Sequence, residues 1–202
     1  MSTETHVHNF AADLAWSNSD AQDAAWLRAY RERWGSIDHI EQVREREKQR
    51  RGIDREVYFA PGAWVTVEEK TVRGYPPCLP LEVISAGRPS WSHPDGVPQA
   101  AWLAIRRTTT GKTYLYSTAA WRRALERHLA DWMRRYAVRQ VTSSRDSVHG
   151  QTETRTWTVT VVCVPESVIE RAVRDAEGPL EDPDFVPLFA TLEAAISNLN
   201  LN

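Results

Sequence analysis

The chain has 202 residues, 42% hydrophobic and 26% charged, a composition that suits a soluble globular domain with a real core. It holds no apolar run long enough to span a membrane and lacks the charged-then-apolar N-terminal order of a signal peptide, so the expected setting is the cytoplasm, with no membrane. The net charge of −2 hides an asymmetry: from Pro165 onward eight acidic residues face only Arg171 and Arg174, which leaves +4 on the body up to Val164 and permits a phosphate-binding surface.

Residues 1–18 read as a tail that docks through Phe10, Leu14 and Trp16. Ser19 or Asp20 caps a helix through about Trp34, with Trp26, Leu27, Tyr30 and Trp34 at helical spacing. After the Gly35-Ser36 break, Ile37 to Arg50 reads as a second, charge-dense helix that places Glu41, Glu45 and Gln49 on one stripe. Two β-branched and aromatic runs follow, Ile53 to Phe59 and Trp64 to Val72, around Ala60-Pro61-Gly62. This is the pattern of a β-hairpin. If the turn is a three-residue loop, Phe59 faces Ala63 and Asp54 lies opposite Glu68. Glu68 and Lys70, two apart, project to one face. The hairpin therefore gathers Asp54, Glu68 and Lys70 in one cluster.

Beyond a loop from Arg73 to Pro77, Leu79 to Ala86 reads as an apolar strand interrupted by Glu82. An acid there costs free energy unless it is paired or metal-bound. Gly87 to Pro98 is a sizeable loop, and its lone His93 is given no role. Ala100 to Thr108 and Lys112 to Tyr116 form a second hairpin, with Arg106, Arg107 and Lys112 available to a phosphate backbone. Ser117 or Thr118 then caps the clearest helix, running to about Tyr136. Its core stripe is Trp121, Leu125, Leu129, Trp132 and Tyr136, while Arg123, Arg127 and Arg134 line another face and make it the candidate nucleic-acid surface. Val138 to Gln151 reads as a polar loop, with Ser143, Ser144 and Arg145 as phosphate contacts, and Thr152 to Val164 as a long strand. Pro165 opens a helix to about Ala176. Residues 19–176 are thus the domain and 177–202 an acidic extension. Cys78 and Cys163 are read as reduced, buried thiols.

Two carboxylates and an ammonium at this spacing have a chemical use. The carboxylates are hard oxygen ligands for Mg²⁺ or Mn²⁺, and the lysine positions an attacking water or balances charge on a phosphate. Only Lys48, Lys70 and Lys112 among the 25 basic residues are lysine, so Lys70 stands out in a chain whose default cation is arginine. The pattern of Asp54, a gap, then Glu68-x-Lys70 resembles the active-site signature of the PD-(D/E)XK nuclease superfamily. Ile53 stands where the family's proline usually precedes the aspartate. The lead-in Gln49, Gly52, Ile53, Asp54 is similar to that of a phage and bacterial branch.

The resemblance implies an α/β (α+β) fold of the restriction-endonuclease type: a central mixed sheet flanked by helices in the order αβββαβ, here with an extra hairpin. It implies catalysis by Asp54, Glu68 and Lys70, metal on Asp54 and Glu68, and support from Gln49, Glu45 and Glu82. The implied activity is metal-dependent cleavage of DNA, as an endonuclease, with a homodimer as the means of cutting both strands. An RNA-directed nuclease and a catalytically inactive nuclease-fold binding or assembly protein remain as alternatives, and a solvated Glu-Lys pair is the bland account of the motif.

Overall fold

The computed structural model describes residues 20–59, 62–72, 77–145 and 155–177. The N-terminal tail, the Ala60-Pro61 part of the hairpin turn, most of the Arg73–Pro77 loop and nearly all of the acidic extension lie outside them, as do the side chains of Ser143, Ser144 and Arg145.

Helix α1 (Asp20–Trp34) leads into strand β1 (His39–Gln42), a short helix α2 (Arg46–Arg50) and the hairpin of β2 (Arg55–Phe59) and β3 (Ala63–Val72). Strands β4 (Cys78–Ser85) and β5 (Arg88–Pro89), a 3₁₀ turn (Pro94–Gly96), and strands β6 (Trp102–Arg107) and β7 (Thr113–Ser117) follow. Helix α3 (Thr118–Arg135), strands β8 (Val138–Arg145) and β9 (Arg155–Pro165) and helix α4 (Glu166–Glu177) complete the described chain. This is an α+β fold with helices flanking sheets, as the sequence implies. Its strands divide between two sheets rather than one: β1-β2-β3-β6-β7, mixed through the parallel β3–β6 pair, and β5-β4-β9-β8, all antiparallel.

The two-residue period of β3 decides what each face of the first sheet meets. Its odd positions Val67 and Glu69 face α1, where Trp26, Tyr30 and Trp34 pack with Val57, Phe59, Val67, Trp102 and Ala104. The other face and the second sheet enclose the larger core, filled by Trp121, Leu125, Leu129 and Trp132 of α3 and Ile169 and Val173 of α4. Helix α3 starts where its sequence says it should: the Ser117 hydroxyl accepts from the Ala120 N–H at 3.1 Å. Among the described residues no helix is long and apolar enough to cross a membrane.

Two segments correct the sequence reading. Ile37 to Arg50 is not one helix. Only Ile37, Ile40 and Val43 are apolar there, all before Arg44 and too few for a helical core stripe, and Ile40 instead pairs with Val57 on the edge of the hairpin while Glu45 is extended at the start of α2. Likewise 138–145 is not loop but an edge strand, registered on β9 from Val138↔Val162 to Arg145↔Arg155. A strand with one solvated face needs few apolar residues. The Leu79–Ala86 strand exists as β4, yet it pairs with β9 and not with the hairpin.

Arg107 and Lys112 are likewise structural rather than free for phosphate. Arg107 is buried and ion-paired with Glu166, and Lys112 reaches Glu166 at 3.3 Å and Glu170 at 3.0 Å. Cys78 and Cys163 are unpaired and half-buried.

Candidate active site

The hairpin register is the expected one. Phe59 faces Ala63 and Arg55 faces Val67, so one further step sets Asp54 opposite Glu68. The backbone holds Asp54 there: its N–H donates to the Val67 carbonyl at 2.9 Å, and its own carbonyl accepts from the Val43 N–H at 2.8 Å. Its Oδ2 accepts from the Glu69 N–H at 2.8 Å. Glu68 and Lys70 share the face turned away from α1, and the Lys70 ammonium donates to Glu68 Oε1. Among the described residues, buried Glu68 Oε2 has no hydrogen-bond partner. Glu69 points the other way, accepting from the Tyr30 hydroxyl at 2.6 Å and pairing with Arg55 at 3.2 Å.

Gly52 makes this packing possible. Its φ of +71° is left-handed, and a Cβ there would lie 2.5 Å from the Pro98 Cβ and 3.3 Å from Glu68 Oε2. Gly52→Ala is therefore expected to destabilise the domain by about 2 kcal/mol or more, through strain at a positive φ and a clash with the Pro98 loop. Urea unfolding would measure it, and an unchanged midpoint would show that the Pro98 loop yields freely.

Electrostatics sets the cluster's protonation. Burial pushes the Glu68 carboxyl up to about 7; the Lys70 charge opposes this and the Asp54 charge adds to it. Burial lowers the Lys70 pKa, but Glu68 and Asp54 outweigh it and the ammonium ends above its ordinary value. Burial also lifts Glu69 to about 7, against the pull of Arg55 and Tyr30.

A folded state that holds protons on Glu68 and Glu69 at pH values where the unfolded chain has released them loses stability as pH rises. The window runs from the ordinary value of 4.5 up to about 7, and each unit of separation is worth about 1.4 kcal/mol per group. In EDTA these two groups should make the unfolding free energy fall through this window, and Mg²⁺ should offset part of the fall by binding ionised Glu68. Denaturant titrations across the window test this. A stability that rises with pH in EDTA would contradict it.

Glu68 and Lys70 open on a cleft of about 560 Å³ between the Gln49–Gly52 turn and the loop from Pro89 to Gln99. Glu82 lines its far wall, on the second sheet, and accepts from the Ser90 hydroxyl at 2.6 Å. Gln49 also lines it, its amide donating to the Val43 carbonyl at 2.9 Å. Glu45 does not: it is exposed and pairs with Lys48 at 3.1 Å. With β1 a strand, Glu41, Glu45 and Gln49 share no helical stripe. The α3 arginines lie away from the cleft lining. Arg123 donates to the Ala176 carbonyl at 2.9 Å, Arg134 sits 3.4 Å from Asp131, and Arg127 is exposed. The cations that line the cleft besides Lys70 are Arg50 and Arg51, Arg51 being fixed to Gln99 at 2.7 Å. Their signal was the turn-forming Gly52 directly after them and two residues before Asp54; nothing in the sequence singled out Ser90 or Gln99.

Among the described residues no group of three or more His, Cys, Asp or Glu is arranged to hold a metal ion. The donor set is Asp54 and Glu68, two hard carboxylates, one of whose oxygens, Glu68 Oε2, is buried and unpartnered among the described residues. That set fits an Mg²⁺-type ion, which keeps several of its waters and takes one or two carboxylates from the protein. No family model, curated protein or solved structure matches this chain.

Proposed function

We propose that this chain is a divalent-metal-dependent nuclease that hydrolyses DNA phosphodiester bonds, most simply as an endonuclease of the PD-(D/E)XK kind. The observation that carries the reading is that Asp54 stands opposite Glu68 across the hairpin, while Glu68 and Lys70 open on a cleft that Arg50 and Arg51 also line. Asp54 and Glu68 would hold Mg²⁺ or Mn²⁺, which when bound polarises the scissile phosphate and lowers the pKa of a coordinated water. Lys70, anchored on Glu68 Oε1, presents its remaining N–H groups to the cleft, where they stabilise charge on the phosphate oxygens. Arg50 and Arg51 hold the neighbouring phosphates in register.

The test is cleavage of plasmid, linear duplex and single-stranded DNA with Mg²⁺, Mn²⁺ or EDTA, by wild type and by Asp54→Ala. Metal-dependent cutting is expected, and Asp54→Ala should lower it on the order of 100-fold or more. Wild-type cutting by Asp54→Ala would falsify the assignment. No cutting of DNA under any condition would turn attention to RNA or to an inactive scaffold.

A further inference from the structure

The face of the first sheet that carries Glu68 and Lys70 carries a second feature. At the start of β3, Trp64 projects to the same side, with Tyr58 directly opposite on β2 and His39 opposite Tyr58 on β1. The three rings form a ladder across three strands. The His39 and Tyr58 centroids are 4.4 Å apart at 7°, and those of Tyr58 and Trp64 6.3 Å apart at 27°. Among the described residues the other tryptophan and tyrosine stacks serve the cores, but this one meets solvent: Trp64 is 50% exposed, as is the His39 side chain. Cross-strand ring pairs stabilise a hairpin. That does not require the outermost indole to stand half in water.

We infer that the His39–Tyr58–Trp64 ladder is a stacking platform for the unpaired bases of a single DNA strand whose backbone continues into the cleft at Lys70. The inference rests on the nuclease reading above and names the substrate form that the site takes. Its first support is position. Trp64 lies four residues before Glu68 on the same strand and face, roughly 14 Å away at about 3.4 Å per residue. A strand stacked on Trp64 reaches the carboxylates within a few nucleotides.

The second support is charge along that path. Between Trp64 and Glu68 the face presents Thr66, and the neighbouring Glu56 is neutralised by Lys48 at 2.9 Å and holds the Tyr58 hydroxyl at 2.8 Å. Asp38 and Glu41 lie on the β1 side of the ladder, Asp38 against His39 and Glu41 opposite Glu56, so the phosphates run on the Trp64 side, where the indole is half exposed. A duplex hides its base faces in its own stack, whereas an unpaired strand offers each of them to an aromatic ring.

The experiment compares wild type, Trp64→Ala, Trp64→Phe and Tyr58→Ala by fluorescence anisotropy with a labelled single-stranded oligonucleotide and with its duplex, in EDTA so that nothing is cut. Melting temperatures are followed in parallel. Wild type should prefer the single strand, and Trp64→Ala should weaken that binding on the order of tenfold or more while duplex binding stays put and melting falls by no more than about 4 °C, the share of one lost cross-strand pair. Trp64→Phe should keep most of the affinity, and Tyr58→Ala should lose it as Trp64→Ala does. Unchanged single-strand binding in Trp64→Ala, equal losses on both substrates, or a wild type that binds no single strand would each overturn the platform. If the platform fails while metal-dependent cleavage persists, the nuclease reading stands alone. If Trp64-dependent binding occurs without cleavage in either metal, the nuclease reading is the one that falls.

Discussion

Lys70→Ala is expected to lower cleavage on the order of 100- to 1,000-fold and yet to bind Mn²⁺ at least as tightly as wild type. The first half follows from the role proposed for the ammonium, since removing one well-placed donor to a developing oxyanion costs about that much. The second half follows from the geometry. Lys70 sits on Glu68 Oε1 and raises the cost of bringing a second cation to the same carboxylate, so its loss removes a competitor. The fold should tolerate the change, because a Glu68 already pushed up to about 7 can take a proton when its cation is gone. Lys70→Arg should not rescue cleavage, the planar fork being a poor substitute for a compact ammonium at this distance. Calorimetric titration of Mn²⁺ alongside cleavage assays checks both halves. A variant that loses metal and cleavage together would make Lys70 a structural partner of Glu68, and one that cuts normally would remove it from the site.

What the sequence disclosed were the features that local chemistry decides. The hairpin was legible because β-branched runs flank a Pro-Gly turn, and once Phe59 faces Ala63 the two-residue period places Asp54 against Glu68 without further information. Helix α3 was legible because Trp121, Leu125, Leu129 and Trp132 repeat at helical spacing behind a serine cap. Strand β1 was hidden because its pairing is not local: His39-Ile40-Glu41-Gln42 becomes a strand only where β2 offers an open edge. The same holds for β8 on β9. The division into two sheets was hidden for a related reason, since nothing within Leu79 to Ala86 says whether its partner is Val67 or Val162. Charge density misled in its own way. The arginine-rich face of α3 drew attention away from Arg50 and Arg51, whose place at the cleft depends on a single glycine with a positive φ.

Glu166→Ala should cost about 3–5 kcal/mol, a large share of the stability of a domain this size. Arg107 on β6 is 1% exposed; its guanidinium pairs with Glu166 and donates to the Cys78 carbonyl. Cys78 begins β4 and Glu166 opens α4 directly after β9, so among the described residues the guanidinium of this first-sheet cation is satisfied by the second sheet and the helix that follows it. Truncating Glu166 strands a charge that cannot easily neutralise itself, because arginine does not give up its proton in a protein. The reverse truncation is milder: without Arg107, Glu166 keeps the Tyr114 hydroxyl and Lys112 and is 18% exposed. Arg107→Met should therefore cost less than Glu166→Ala, and Arg107→Met combined with Glu166→Leu should recover part of the loss by replacing the pair with apolar packing. Urea unfolding of the three variants orders them. Equal costs for the two single changes would mean that water reaches Arg107. The order also bears on function: Lys70 stands on one sheet and Glu82 on the other, so a loosened seam should widen the cleft and weaken cleavage before the domain unfolds.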